Sequence, residues 1–140
     1  MFLIDTNVIS ELMRATPAPS VLSWFSTQAP STLYLSAVTE AELRTGMAIL
    51  PAGQRRDGVK AALDGTIAED FEGRILPFDT DAAKTYAEIA VGRRSAGRPI
   101  ADADCQIAAI ARATGMPVVT RNTRDFEGCG IDVINPWGGE

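Results

Sequence analysis

The chain has 140 residues, 46% hydrophobic and 22% charged, enough apolar material for the core of one domain over residues 1–140, with no linker or low-complexity tract to divide it. No apolar run approaches the roughly 20 residues of a membrane span, and the opening Met1-Phe2-Leu3-Ile4-Asp5-Thr6-Asn7 has no signal-peptide pattern, so a cytoplasmic protein without a membrane partner is expected. Histidine is absent, which excludes His-based triads and His-containing zinc sites. The net charge of −5 argues against a broad basic surface, and Cys105 and Cys129 alone make no disulfide framework and read as packing residues.

Met1 to Ile4 is a short apolar run that stops at a turn, the pattern of a buried first strand. Thr6 is placed to cap a helix carrying Val8, Ile9, Leu12 and Met13, which the Thr16-Pro17-Ala18-Pro19 segment stops. A short helix from Ser20 to about Gln28 follows, then a strand at Leu33-Tyr34-Leu35 and a helix from about Ser36 to Leu50, ended by Pro51. A polar helix lies within 52–70, and Arg74 to Phe78 reads as strand three. Asp79 or Thr80 caps a helix running to about Ser95. The last helix spans about Asp102 to Thr114 and ends at Gly115. Pro117 to Thr120 and Asp132 to Ile134 are strands four and five. Strands alternating with helices predict an α/β/α sandwich around a mainly parallel sheet of four to five strands, whose sites gather outside the carboxyl ends of the strands.

That rule points first at Asp5 and Thr120. A carboxylate directly after four apolar residues is costly unless it is paired or binds a cation, although a capping role for the next helix explains Asp5 equally well. On the last helix Ile107, Ala108 and Ala111 stand at i+3, i+4 and i+7 from Asp104, which puts Asp104 on the inward face at the N-terminal end. Asp102 points elsewhere and suits an N-cap. Glu42 falls on an edge of its helix's buried face, while Glu40 pairs with Arg44 at i+4 on the solvated side. Thr39-x-x-Glu42 also fits a capping box if that helix starts late.

After strand four, Asn122 and Asp125 can each offer oxygen ligands, or simply form the turn. Three or four acids at one sheet edge repel one another unless a hard cation neutralises them. Mg2+ or Mn2+ suits an all-oxygen ligand set and can activate water against a phosphodiester. Phosphate-loop, dinucleotide and nucleophile-elbow motifs are absent, and Asp102-Ala-Asp104 lacks the glycine and distant glutamate of a calcium loop.

Taken together, the segments Leu3 to Glu11, Leu35 to Gly46, Ile75 to Asp79, Ile100 to Ala109, Val119 to Phe126 and Ile134 to Trp137 resemble the PIN-domain ribonucleases of the VapC toxin type, most of all the FitB-like branch. The resemblance implies a PIN-like fold, Mg2+- or Mn2+-dependent RNA cleavage, a homodimer, and a VapB-type antitoxin that blocks the site. It makes Asp5, Glu42 and Asp104 the acidic triad and Asp125, with Asn122 as competitor, a fourth ligand. Thr6, Asn7 and Thr120 then support the site, and Arg121 and Arg124 are placed to hold RNA phosphates unless they are ordinary solvated arginines. Trp24 and Phe25 are candidates for the antitoxin groove or for the core. Two rivals remain at this stage: a phosphatase or phosphotransferase using Asp5 as nucleophile, which lacks its usual second Asp at Asn7, and a PIN fold that only binds RNA or protein.

Overall fold

The computed structural model describes residues 1–138. Five parallel strands, β1 (Phe2–Ile4), β2 (Leu33–Ser36), β3 (Ile75–Leu76), β4 (Val118–Val119) and β5 (Val133–Ile134), lie in the order β3-β2-β1-β4-β5. The register sets Leu3 opposite Tyr34 on one side and Val118 on the other. Six helices flank the sheet: α1 (Thr6–Leu12), α2 (Pro19–Ser26), α3 (Ala37–Ala48), α4 (Gln54–Gly65), α5 (Thr80–Ser95) and α6 (Asp102–Thr114). This is the expected three-layer α/β/α arrangement, with every described strand parallel.

The alternation of side chains along each strand divides the core in two. Leu3 and Val118 pack with α5 and α6, whereas their neighbours Ile4 and Val119 face the cluster that includes Val8, Ile9, Val21 and Leu43. Because these strands are covered on both faces, they read as continuous apolar runs rather than alternating ones. α6 supplies most of its face to the first cluster, with Ile107, Ala108 and Ala111 at most 1% exposed. Truncating Ile107 to alanine would cost roughly 2–5 kcal/mol. Both cysteines are buried and unpaired, as expected of packing residues.

Two caps bear on the sequence reading: Asp5 takes the capping role that was open to it, while Thr6 and Asp102 do not take theirs. Asp5, not Thr6, caps α1: its backbone is extended and its carboxylate accepts from the Thr6 amide at 2.8 Å, which frees the Thr6 hydroxyl for a tertiary contact. At α6 the extended residue is Ala101, one position before Asp102. Asp102 is therefore helical, and its carboxylate accepts instead from the Tyr86 hydroxyl at 3.0 Å. The other caps agree. Ser36 accepts from the Thr39 amide, Asp79 from the Ala82 amide, and Gly115 ends α6 at φ 73°. With Ser36 as the cap, Glu42 lies too deep in α3 for a capping box. The region within 52–70 is α4 followed by a π-helical turn at Thr66–Asp70.

Candidate active site

The strand order places β1 between the two halves of the sheet, so the chain's crossovers diverge on either side of it. The crevice beyond the carboxyl ends of β1 and β4 is the topological switch point of such a sheet. Asp5 and Thr120 each follow the last residue of their strand there, joined through the Asp5 amide to the Val119 carbonyl at 2.9 Å.

Asp5 is 5% exposed and Thr120 wholly buried. Asp5 Oδ2 accepts from Thr120 Oγ1 at 2.8 Å and from Asn7 Nδ2 at 3.1 Å, filling both of its lone pairs. Oδ1 accepts only the Thr6 amide, so one of its lone pairs has no donor among the described residues. Asn7 also donates to Thr120 Oγ1 at 3.0 Å and accepts from the Arg121 amide at 3.1 Å, while Thr120 Oγ1 accepts from the Asn122 amide. The turn after β1 is thereby welded to the loop after β4.

Glu42 reaches the same place from α3. The Thr6 hydroxyl donates to Glu42 Oε1 at 2.6 Å and lies 3.2 Å from the hydroxyl of the fully buried Thr39. Glu40 instead accepts from Arg44 at 2.8 Å, as its helical spacing predicts, and Arg44 continues to Asp64 on α4. Asp104, in the first turn of α6, is half-buried. Burial above all, and then the charges of Asp5, Asp125 and Glu42, pushes its carboxyl from 3.8 up to about 6. Burial likewise raises Asp5, opposed by the Thr120 hydroxyl and the Thr6 amide and reinforced by Glu42 and Asp125. The four acids therefore feel one another's charge, although among the described residues no three carboxylates converge at metal-ligand distance.

Asp125 sits in a short 3-10 turn, Thr123–Phe126, whose Phe126 is 1% exposed in the core. The Asp125 charge acts on both Asp5 and Asp104. The exposed Asn122 starts that turn and uses its amide on Thr120. Arg121, Asn122, Arg124 and Asp125 border an open cavity of about 370 Å³. The Arg121 guanidinium stacks over Trp137 at 5.0 Å, a partner that sequence spacing did not suggest. A larger cavity of about 430 Å³, near Arg112 and Asp132, opens at the amino ends of β4 and β5, the other edge of the sheet.

Trp24 and Phe25 are half-buried. Trp24 packs edge-to-face on Phe2 and on Phe25, with ring centroids 5.3 and 5.1 Å apart. Phe25 then lines an apolar groove of about 380 Å³ with Ile9, Leu12, Met13, Pro30 and Phe71. Sequence reasoning missed the tertiary role of Thr39, which it weighed only as part of a capping box, and it missed Arg93, which shares the apolar face of α5 with Ala82, Tyr86 and Ile89.

An all-parallel sheet with acids gathered at its switch point defines a class of α/β protein whose site is built from carboxylates. The family model described as "PIN domain" matches residues 2–129. A VapC ribonuclease, Y4jK, of Sinorhizobium fredii is 49% identical over 137 residues, covering 98% of each chain. Toxin FitB of Neisseria gonorrhoeae is 42% identical over 137 residues, covering 98% of this chain and 99% of that one. The crystal structure of FitAcB from Neisseria gonorrhoeae superposes with a TM-score of 0.93 at 42% identity, covering 99% of this chain and all of the other. The chain belongs to the PIN-domain family and, within it, to the VapC and FitB toxin ribonucleases.

Proposed function

We propose that residues 1–140 act as one PIN domain, a Mg2+- or Mn2+-dependent endoribonuclease toxin held in check by a cognate VapB-type antitoxin. The observation that carries this reading is the coupling of Asp5, Glu42, Asp104 and Asp125 around the switch point, with Asp5 buried and one of its lone pairs without a donor among the described residues. The donor set is all oxygen, with neither histidine nor cysteine in it, and so suits a hard cation. Asp5 and Asp104 would hold the ion, with Glu42 and Asp125 binding it or its waters, since Mg2+ usually keeps several waters. When bound, the ion would activate water and offset the charge building on the phosphodiester.

The chain's own residues do the rest. Thr120 and Asn7 fix the orientation of Asp5, Thr6 fixes Glu42, and Arg121 and Arg124 stand beside the crevice where phosphate oxygens would lie. Asn7 occupies the place where an aspartyl-nucleophile phosphatase would have its second acid, and its amide ties up Asp5 Oδ2.

The groove bordered by Phe25 and Phe71 suits the apolar face of an antitoxin segment, and a basic antitoxin side chain would satisfy the acidic crevice. The named toxin relative supports such a partner. The toxin would act in the cytoplasm as a homodimer; no helix among the described residues is long and apolar enough to cross a membrane. Incubating the purified protein with a structured RNA tests the reading: cleavage with Mg2+ or Mn2+ that excess chelator abolishes is expected. An acyl-phosphate on Asp5 with intact RNA would overturn it in favour of phosphoryl transfer.

A further inference from the structure

Arg93 is only 7% exposed, yet among the described residues it forms no ion pair. A guanidinium removed from water is costly unless its donors are met. Here Nε and Nη1 are met by backbone carbonyls: Nε donates to Arg98 at 2.7 Å, and Nη1 donates to both Asp125 and Glu127 at 2.9 Å, with Cys129 Sγ at 3.6 Å. One side chain of α5 therefore gathers the segment that leaves the crevice. Phe126, between the two bonded carbonyls, is driven into the core, so this stretch is pinned by its side chain from one direction and by its backbone from another. The fold alone requires only the ring. The charged fork adds a fixed path for the residue immediately before it, Asp125.

We infer that Arg93 is the positioning residue for Asp125: its buried guanidinium, bonded to the carbonyls of Asp125 and Glu127, holds the fourth carboxylate at the crevice. The inference rests on the metal-site reading above. The planar fork matters as well as the charge, because a lysine ammonium would have to serve carbonyls on separate segments from one shorter point.

The test is a double-mutant cycle read by Mn2+ binding, in calorimetry or electron paramagnetic resonance, on the whole chain. Wild type, Arg93→Lys, Asp125→Asn and the double variant are compared after circular dichroism shows that each is folded. Arg93→Lys is expected to weaken Mn2+ binding about tenfold when Asp125 is present and by less than about twofold in the Asp125→Asn background, the pattern of a residue acting through another. A merely structural arginine would lower the melting temperature while leaving the Mn2+ affinity alone or reducing it alike in both backgrounds, and either result overturns the proposal.

Gly128→Ala provides a second route that keeps the arginine. Gly128 stands at φ 73°, where a side chain is strained, so an added Cβ, in ordinary contact with Arg93 Cδ at 3.6 Å, would act by shifting the backbone next to the Glu127 carbonyl that Arg93 holds. The same Asp125-dependent loss is expected, and its absence counts against the proposal. Wild-type protein that binds Mn2+ no better than Asp5→Asn overturns the metal-site reading itself, and the positioning role with it.

Discussion

Thr120 Oγ1 donates to Asp5 Oδ2 across 2.8 Å, linking the ends of two neighbouring strands that are 115 residues apart in the chain. The same hydroxyl oxygen accepts from Asn7 and from the Asn122 amide, so one buried atom orders both loops of the crevice. Thr120→Val keeps the shape and removes every one of these bonds. It should lower stability by about 1–3 kcal/mol, since buried groups lose their partners, and cut RNA cleavage about 10- to 100-fold. Thr120→Ser should stay near wild type in both. Thermal melts and single-turnover cleavage check the pair; a fully active valine variant would show that Asp5 needs no such orientation.

The Thr6 hydroxyl, which the sequence reading gave to a helix cap, holds Glu42 instead. Glu42 is exposed and otherwise able to rotate away. Thr6→Val should therefore slow cleavage by about tenfold, the equivalent of about 1.4 kcal/mol for one bond to a charged group, and lower stability by about 1–3 kcal/mol because the buried Thr39 hydroxyl loses its partner. Thr6→Ser should restore the rate. A valine variant that cleaves at the wild-type rate would show that Glu42 needs no such bond.

Asp104 predicts an unusual pH dependence. Its carboxyl is raised from 3.8 to about 6, so the folded protein holds that proton more tightly than the unfolded chain does. Stability is thus undiminished by this group below about pH 3.8, falls as the pH rises from there to about 6, and stays reduced above it. With chelator present, Asp104→Asn should then be more stable than wild type at pH 7, by roughly 1–2 kcal/mol once the side chain's partial exposure is discounted, and no more stable near pH 3.5. Added Mn2+ should raise the wild-type melting temperature more than the variant's. Melts at the two pH values decide the matter: equal or lower stability of the variant at pH 7 would mean that Asp104 carries no such penalty.

Much of this was legible in the chain. Four apolar residues before Asp5 located both the central strand and its outer edge, and the i+3, i+4, i+7 pattern after Asp104 turned that carboxylate inward, because each signal is local and periodic. The errors fell on hydroxyls and caps. Whether Asp5 or Thr6 caps α1 depends on which of them a distant Glu42 claims, and Asp102 was drawn off its expected cap by Tyr86 on another helix. Arg93 carries a periodic signal too: it stands at i+4, i+7 and i+11 from Ile89, Tyr86 and Ala82, on the buried face of α5, whereas Arg94 falls on the exposed side. What the pattern does not show is its partners, the carbonyls of the 125–129 segment that only the fold brings to it.

In the proposed function the carboxylates at the switch point support metal-dependent RNA cleavage, and Asp5 is the keystone among them. The direct measurement is cleavage of a structured RNA by wild type and by Asp5→Asn at matched folded concentration, each with Mg2+ or Mn2+ and again with excess chelator. Cleavage confined to wild type with metal is the predicted result. Cleavage that persists in Asp5→Asn, or that survives the chelator, would rule out a metal-dependent site built on Asp5.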